Sequence, residues 1–417
     1  MAWSGEMRGR RPGSPATGDL PGPPTGPPTG RPTGRPGRPV LVFPPTPTGR
    51  FGLSAIALYP ARSTLWARPR QRVRRQQRRS GETRPGERGA VVDVQSVVVV
   101  GTGRMASGIA AVFARGGLPV TVVGRSEASL ARCRSAVEDS LTQLAAEGLL
   151  VDGDDVPAAL ARLSLATDLA AVGDTDLLVE AVVEDVSVKL DLFAEAEKVC
   201  APRTILASAS GQTAGVFASA SSTPERYVAM HFWFPAPFVP LVELSAPEGT
   251  GQELLEELRA LLLRLGKSPV VLRHDQSGLL GNRLQFALLR EAVSLWAAGA
   301  ASAEDIDLAV TAGFARRLAI TGPLASADLG GLPTMFSFAG SVYPDLATGQ
   351  APEAAFGELA ASGGSFVVDD ADAPGLTATR VAELLRWMQH DAQQAAQQSA
   401  QDSAQDSAQN SARAARP

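Results

Sequence analysis

Gly101, Gly103 and Ala106 stand at G-x-G-x-x-A spacing in GTGRMASGIAAVFARGG. The chemistry this spacing permits is capture of a pyrophosphate. The first glycine allows a tight turn, the second lets the backbone approach the phosphates, and the small third residue packs the following helix against its strand. The helix N-terminus then faces the anion. The loop residues Arg104 and Met105 are assigned to the same cofactor site. A second signal lies at Gly124-Arg125-Ser126. Units that bind NAD usually carry Asp or Glu there, held to the ribose 2′-hydroxyl; losing the carboxylate and gaining a guanidinium favours a 2′-phosphate. On the residues alone this points towards NADP(H). The competing reading leaves Arg125 merely exposed and the ribose held elsewhere.

These residues need a scaffold, and the sequence supplies one. Val97 to Val100 form an apolar β-branched run expected to be a buried strand, an amphipathic helix follows the loop, and LPVTVVG reads as a second strand. Strand–helix alternation continues to residue 245, which predicts a doubly wound, mostly parallel α/β sheet of Rossmann type. Residues 252–265 are leucine-rich with helical periodicity, and PVVLR reads as a late strand. From Leu279 long helical patterns take over, with Ser302 and Glu304 suited to a helix start. The domains expected are therefore a dinucleotide-binding unit at 91–278 and an all-α unit at 279–390.

The ends differ from this body. Residues 1–90 hold 17 Arg, no Lys and 4 acidic residues, a net of +13, while 91–417 carry a net of −17. Proline and glycine repeats predict a disordered segment over 1–90. RPRQRVRRQQRRS at residues 68–80 reads either as a basic arm for an anionic surface or as a solvated tail. Without aromatic residues among the arginines, a nucleic-acid partner is not expected. Residues 391–417, rich in Ala, Gln and Ser, read as a low-complexity tail. Cys133 and Cys200 lack metal-ligand spacing, no metal site is expected, and both suit reduced thiols. No stretch reaches the ~18 apolar residues of a membrane span, so the expected location is the cytoplasm.

From residue 95 to about 345 the chain resembles the 3-hydroxyacyl-CoA dehydrogenase family, with its 3-hydroxybutyryl-CoA, L-gulonate and L-carnitine dehydrogenase relatives. Six motifs occur in order: GTGRMASGIA, DLLVEAVVEDVSVKLDLF, HFWFPAPFVPLVEL, GLLGNRLQFALLREA, SAEDIDLAV and GFARRLAITGPLASADLGGL. The resemblance implies His231 as general base on a 3-hydroxyl, Glu243 twelve residues later as its orienting carboxylate, and Asn282 positioning the substrate carbonyl. A neutral imidazole suits that proton transfer, and a neighbouring carboxylate stabilises the imidazolium formed. Glu184 and Lys189 match family positions that contact the cofactor, which the family takes as NAD(H). The implied partners are an acyl-CoA or short hydroxy acid and a second copy of the chain. His274 and His390 read as structural or solvent-exposed.

Four departures surround the pocket. Phe234 replaces the family asparagine three residues after the base. The N-T-S-S loop reads Ala209-Ser210-Gly211-Gln212, so the serine expected at 211 is missing and Ser210 and Gln212 are left to serve the substrate. The acid ending the second strand is absent, and SGGSFVVDDADAPG replaces the family's ending. Two functions fit: a working dehydrogenase with an altered substrate, or a weakly active dinucleotide-binding protein with a sensing or assembly role.

Overall fold

The computed structural model describes residues 94–414 apart from residue 152. The expected disordered segment and its basic arm lie outside the described residues. The body opens with the β-branched run Val97–Val100 as β1, followed by α1 (Arg104–Arg115), β2 (Val120–Val123) and α2 (Glu127–Ala146). Then come α3 (Val156–Ala161), β3 (Leu163–Ala166), β4 (Leu177–Glu180), α4 (Val186–Val199), β5 (Ile205–Ser208) and α5 (Ala214–Ala218). β6 (Tyr227–Phe232), β7 (Leu241–Ser245), α6 (Gln252–Arg264) and β8 (Ser268–Val271) complete the sheet region.

The sheet has eight strands in the order β3-β2-β1-β4-β5-β6-β7-β8. Pairing is parallel except between β6 and β7, so β7 and β8 run against the rest. Both faces are covered, as continuous apolar strands require. Val97 and Val99 join the core beneath α1, α2 and α6 with Phe113, Leu141 and Leu262. Val98 and Val100 face the opposite core, where Phe193, Phe217 and Tyr227 pack.

The helical region comprises α7 (Gly281–Ala297), α8 (Ala303–Leu308), α9 (Ala315–Gly330), α10 (Leu332–Val342), α11 (Ala354–Ala361) and α12 (Ala373–Ala414). Ser302 caps α8 by accepting the Asp305 amide at 3.1 Å. The expected end of the helical unit near residue 390 falls inside one helix, since α12 runs on through the low-complexity residues 391–414. Val381, Leu384, Leu385 and Met388 give it an apolar stripe at i, i+3, i+4, i+7 spacing. That stripe packs on Leu144, Leu149 and Phe238 beside the sheet, and Gln389 donates to the Glu147 carboxylate at 2.5 Å. No helix among the described residues is long and apolar enough to cross a membrane.

Candidate active site

Two adjoining clefts meet at Met105. The first, of about 720 Å³, lies at the carboxyl ends of β1, β2 and β4 and is lined by Gly101, Gly103, Arg104, Gly124, Arg125 and Asp168 among others. Gly101 has φ +130°, and a Cβ there would stand 2.4 Å from the Ala181 carbonyl oxygen, so only glycine makes this turn. A Cβ on Gly103 would meet nothing within 4 Å, which leaves its backbone open to a ligand. Ala106 is fully buried in the core behind the loop. These residues fit a bound dinucleotide: an open glycine backbone, the unpaired amides of α1 and no acidic side chain in its first turn.

The ribose end of this cleft is sterically defined. A Cβ on Gly124 would approach Thr102 Cγ2 at 2.4 Å and Leu130 Cδ2 at 2.9 Å, so the missing acid has no room. Arg125 is exposed, and Asp168, unnoticed in the sequence, lines the same cleft while its carboxylate accepts the Ala170 amide at 2.9 Å.

The second cleft, of about 910 Å³, holds Met105, Glu184, Ser210, Gln212, His231, Phe234 and Asn282. The twelve-residue spacing of His231 and Glu243 follows from register: they are direct cross-strand partners in the antiparallel β6–β7 pair. Side chains so paired share one face of the sheet. His231 Nδ1 lies 3.0 Å from Glu243 Oε2, and Nε2 has no protein partner among the described residues. Glu243 is 1% exposed, so its charge must be met by protein donors. Trp233 Nε1 donates to Oε2 at 3.0 Å, and the amides of Leu280 and Gly281 donate to Oε1 at 2.8 and 2.9 Å. Against the cost of burial, these bonds hold the carboxyl down at about 2, so it stays ionised.

The amides reach Glu243 because the chain reverses just before α7. Gly278 has φ +74° and Leu279 has φ +47°. A left-handed leucine costs roughly 1–2 kcal/mol; Leu279 is fully buried, and that packing holds it there. The loop between β6 and β7 is fixed from below by Lys267, whose ammonium donates to the carbonyls of Ala236 and Val239 at 2.6 and 3.0 Å. Burial, and secondarily Arg115, hold that ammonium down at about 7.

A Cβ on Gly211 would come within 2.6 Å of Asn282 Nδ2, so the Asn282 carboxamide occupies room that a serine side chain would take. Asn282 is the second residue of α7, whose N-cap position is held by Leu280. Ser210 is buried and donates its hydroxyl to Glu184, while the backbone N–H of Gln212 donates to Ser210 Oγ at 3.0 Å. Phe234 is half-exposed, with the Arg104 guanidinium 5.1 Å from its ring centre. Lys189 differs from expectation. It is 1% exposed, with Nζ 2.7 Å from Glu180 Oε1 and 3.2 Å from Glu184 Oε2. It lines neither cleft and braces Glu184, because the last residue of β4 faces inward and needs a cation. His274 and His390 lie apart from the dyad, the latter beside Gln394 at 2.7 Å.

Sequence reading passed over Trp233, Gly281 and the exposed Arg283 and Phe286 that flank Asn282. The first two sit inside the HFWFP and GNRL motifs, where an aromatic in an apolar run and a glycine carry no signal of a hydrogen bond to Glu243.

A model of the 3-hydroxyacyl-CoA dehydrogenase NAD binding domain matches residues 96–276, and one of the C-terminal domain of that enzyme matches residues 278–360. The 5-formyl-3-hydroxy-2-methylpyridine 4-carboxylate 5-dehydrogenase of Mesorhizobium japonicum is 33% identical over 255 residues, covering 61% of this chain and 81% of the relative. The 3-hydroxybutyryl-CoA dehydrogenase of Mycobacterium tuberculosis is 35% identical over 255 residues, covering 61% and 88%. Among solved structures, a 5-formyl-3-hydroxy-2-methylpyridine 4-carboxylic acid 5-dehydrogenase, described as an NAD+ dependent dismutase, superposes with TM-score 0.66 at 29% identity. It covers 70% of this chain and 97% of its own.

Proposed function

This chain belongs to the 3-hydroxyacyl-CoA dehydrogenase family and is an oxidoreductase of that type, and on that premise we propose that His231 moves the proton between its substrate's hydroxyl and carbonyl forms. The observation that carries the reading is the buried dyad: Nδ1 is committed to an ionised Glu243, which leaves Nε2 for the substrate oxygen. In oxidation Nε2 accepts the hydroxyl proton, and Glu243 stabilises the imidazolium that results. In reduction the same nitrogen returns the proton. The Asn282 carboxamide, beside His231, is suited to donate to the developing carbonyl oxygen. When bound, NAD(H) supplies the hydride acceptor or donor. Gly101, Gly103, Arg104, Met105 and Glu184 are the residues we assign to holding it. The retained dyad also speaks against the sensing alternative, since a site without turnover has no need of a buried carboxylate with four donors.

Two finer readings rest on specific residues. Gly124, walled in by Thr102, together with Arg125, favours acceptance of NADP(H), whereas Asp168 favours the unphosphorylated ribose. For the substrate, a short 3-hydroxyacyl-CoA or hydroxy acid is the primary reading. Phe234 with Arg104 behind it gives a second one, a planar carboxylate such as that named for the Mesorhizobium relative. The test follows reduced-cofactor absorbance with acetoacetyl-CoA and with an aromatic aldehyde carboxylate, each with NADH and NADPH. Turnover of acetoacetyl-CoA supports the primary reading; turnover of the aromatic compound alone replaces it. A tenfold preference for NADH that Arg125→Ala leaves unchanged rejects the phosphate reading of Arg125.

A further inference from the structure

Trp233 lies outside the proton relay but shares its central oxygen. Its indole N–H and His231 Nδ1 both meet Glu243 Oε2 at 3.0 Å. The indole also stands edge-on to the imidazole, with ring centres 5.8 Å apart. We propose that Trp233 is a positioning residue that limits the basicity of His231 and fixes its tautomer by competing for one oxygen of Glu243. This rests on His231 being the base.

A carboxylate oxygen that already accepts one N–H offers less charge to a second donor. The form Glu243 stabilises is the imidazolium, so a competing neutral donor lowers that stabilisation. An indole N–H does not titrate over the working range, so its pull is constant with pH. It also leaves Oε2 no freedom to rotate away, because Oε1 is pinned by two amides. The imidazole must therefore present Nδ1–H to Glu243 and keep Nε2 open.

The seat for this indole comes from the far side of the domain boundary. A Cβ on Gly281 would fall 2.3 Å from Trp233 Cζ2 and 3.0 Å from Cε2. Glycine at the head of α7 thus serves twice, giving the indole its space and its own amide to Glu243. The other charged groups near the dyad are separately engaged or distant from it. Glu184 is tied to Lys189 and Ser210, and Arg104 lies over Phe234. Asp275 is taken up by Ser245 and the amides of Ala214 and Gly215. Arg283 lines the cleft without an ion pair among the described residues. None of them bonds to His231 or Glu243, so they contribute equally to wild type and variant.

The test is Trp233→Phe, which keeps an aromatic ring and removes the N–H. With 3-hydroxybutyryl-CoA as substrate, the acid limb of kcat/KM for oxidation should move up by roughly half to one pH unit. Oxidation on that limb then falls about three- to tenfold while NADH affinity holds. A profile with unmoved midpoints, lowered by one factor at every pH, overturns the proposal. A turnover-free readout is the pH dependence of His231 modification by diethyl pyrocarbonate, followed at the peptide level, which should shift by the same amount. The seat is tested by Gly281→Ala, alone and with Trp233→Phe. The alanine should cost less activity beside phenylalanine, which lacks the nearest colliding carbon, Cζ2, while the 3.2 Å approach to Glu243 Oε2 remains in both; additive losses would contradict it. A wild type inert towards 3-hydroxybutyryl-CoA counts against the functional reading. An unmoved modification profile counts against the role of Trp233 alone.

Discussion

Glu243 shows how much of the chemistry depends on one buried side chain. Four N–H donors converge on it, and they hold its carboxyl down from 4.5 to about 2. A group depressed in the folded state contributes stability above its unfolded value and loses it as the pH falls through the folded one. The contribution should be complete above pH 5 and disappear between about pH 4.5 and 2, amounting to about 3 kcal/mol at most. Glu243→Gln is therefore expected to be less stable than wild type at pH 5 and to lose less on acidification to pH 3, measured by urea denaturation. Parallel losses in the two proteins would contradict this. At this scale His231, Glu243 and Asn282 were legible because motif order carries them. Lys189 was expected at the cofactor through the resemblance, whereas its ammonium is buried against Glu180, whose inward direction the sequence does not show. Trp233 was passed over because an indole in an apolar run gives no sign of where its N–H will point.

The elements explain what spacing alone left open. Strand periodicity located β6 and β7, but alternation carries no direction, and only their antiparallel register makes a twelve-residue separation a contact. The reversal at Leu279 was equally hidden, because leucine gives no sequence signal for positive φ. In α12 the apolar stripe sits upstream of the alanine–glutamine repeat, so the repeat by itself reads as a tail. The helical region leaves Leu284, Phe286, Leu324, Leu329, Phe336 and Phe338 more than half exposed in the single chain. Apolar faces of that extent call for a partner, and the expected one is a second copy. Light scattering should give twice the chain mass of 43.3 kDa. Introducing Leu324→Asp and Phe336→Asp together should give a monomer, and a monomeric wild type would remove the expectation.

At the scale of the whole molecule, the sheet sets a dinucleotide cleft beside a second cleft, and α7 completes the second from the helical side. The doubly wound class was legible from the glycine loop and the alternation that follows it. The packing of α12 on α2 was not, since it joins residues more than two hundred positions apart and lies beyond the matched family region, which ends at residue 360. In this arrangement the His231–Glu243 dyad moves the substrate proton while the glycine loop holds the cofactor. The deciding variant is His231→Ala, with NADH binding measured by fluorescence titration and acetoacetyl-CoA reduction by absorbance. NADH affinity should be unchanged and kcat lower by about 10²- to 10⁴-fold. Equal turnover by variant and wild type would contradict it.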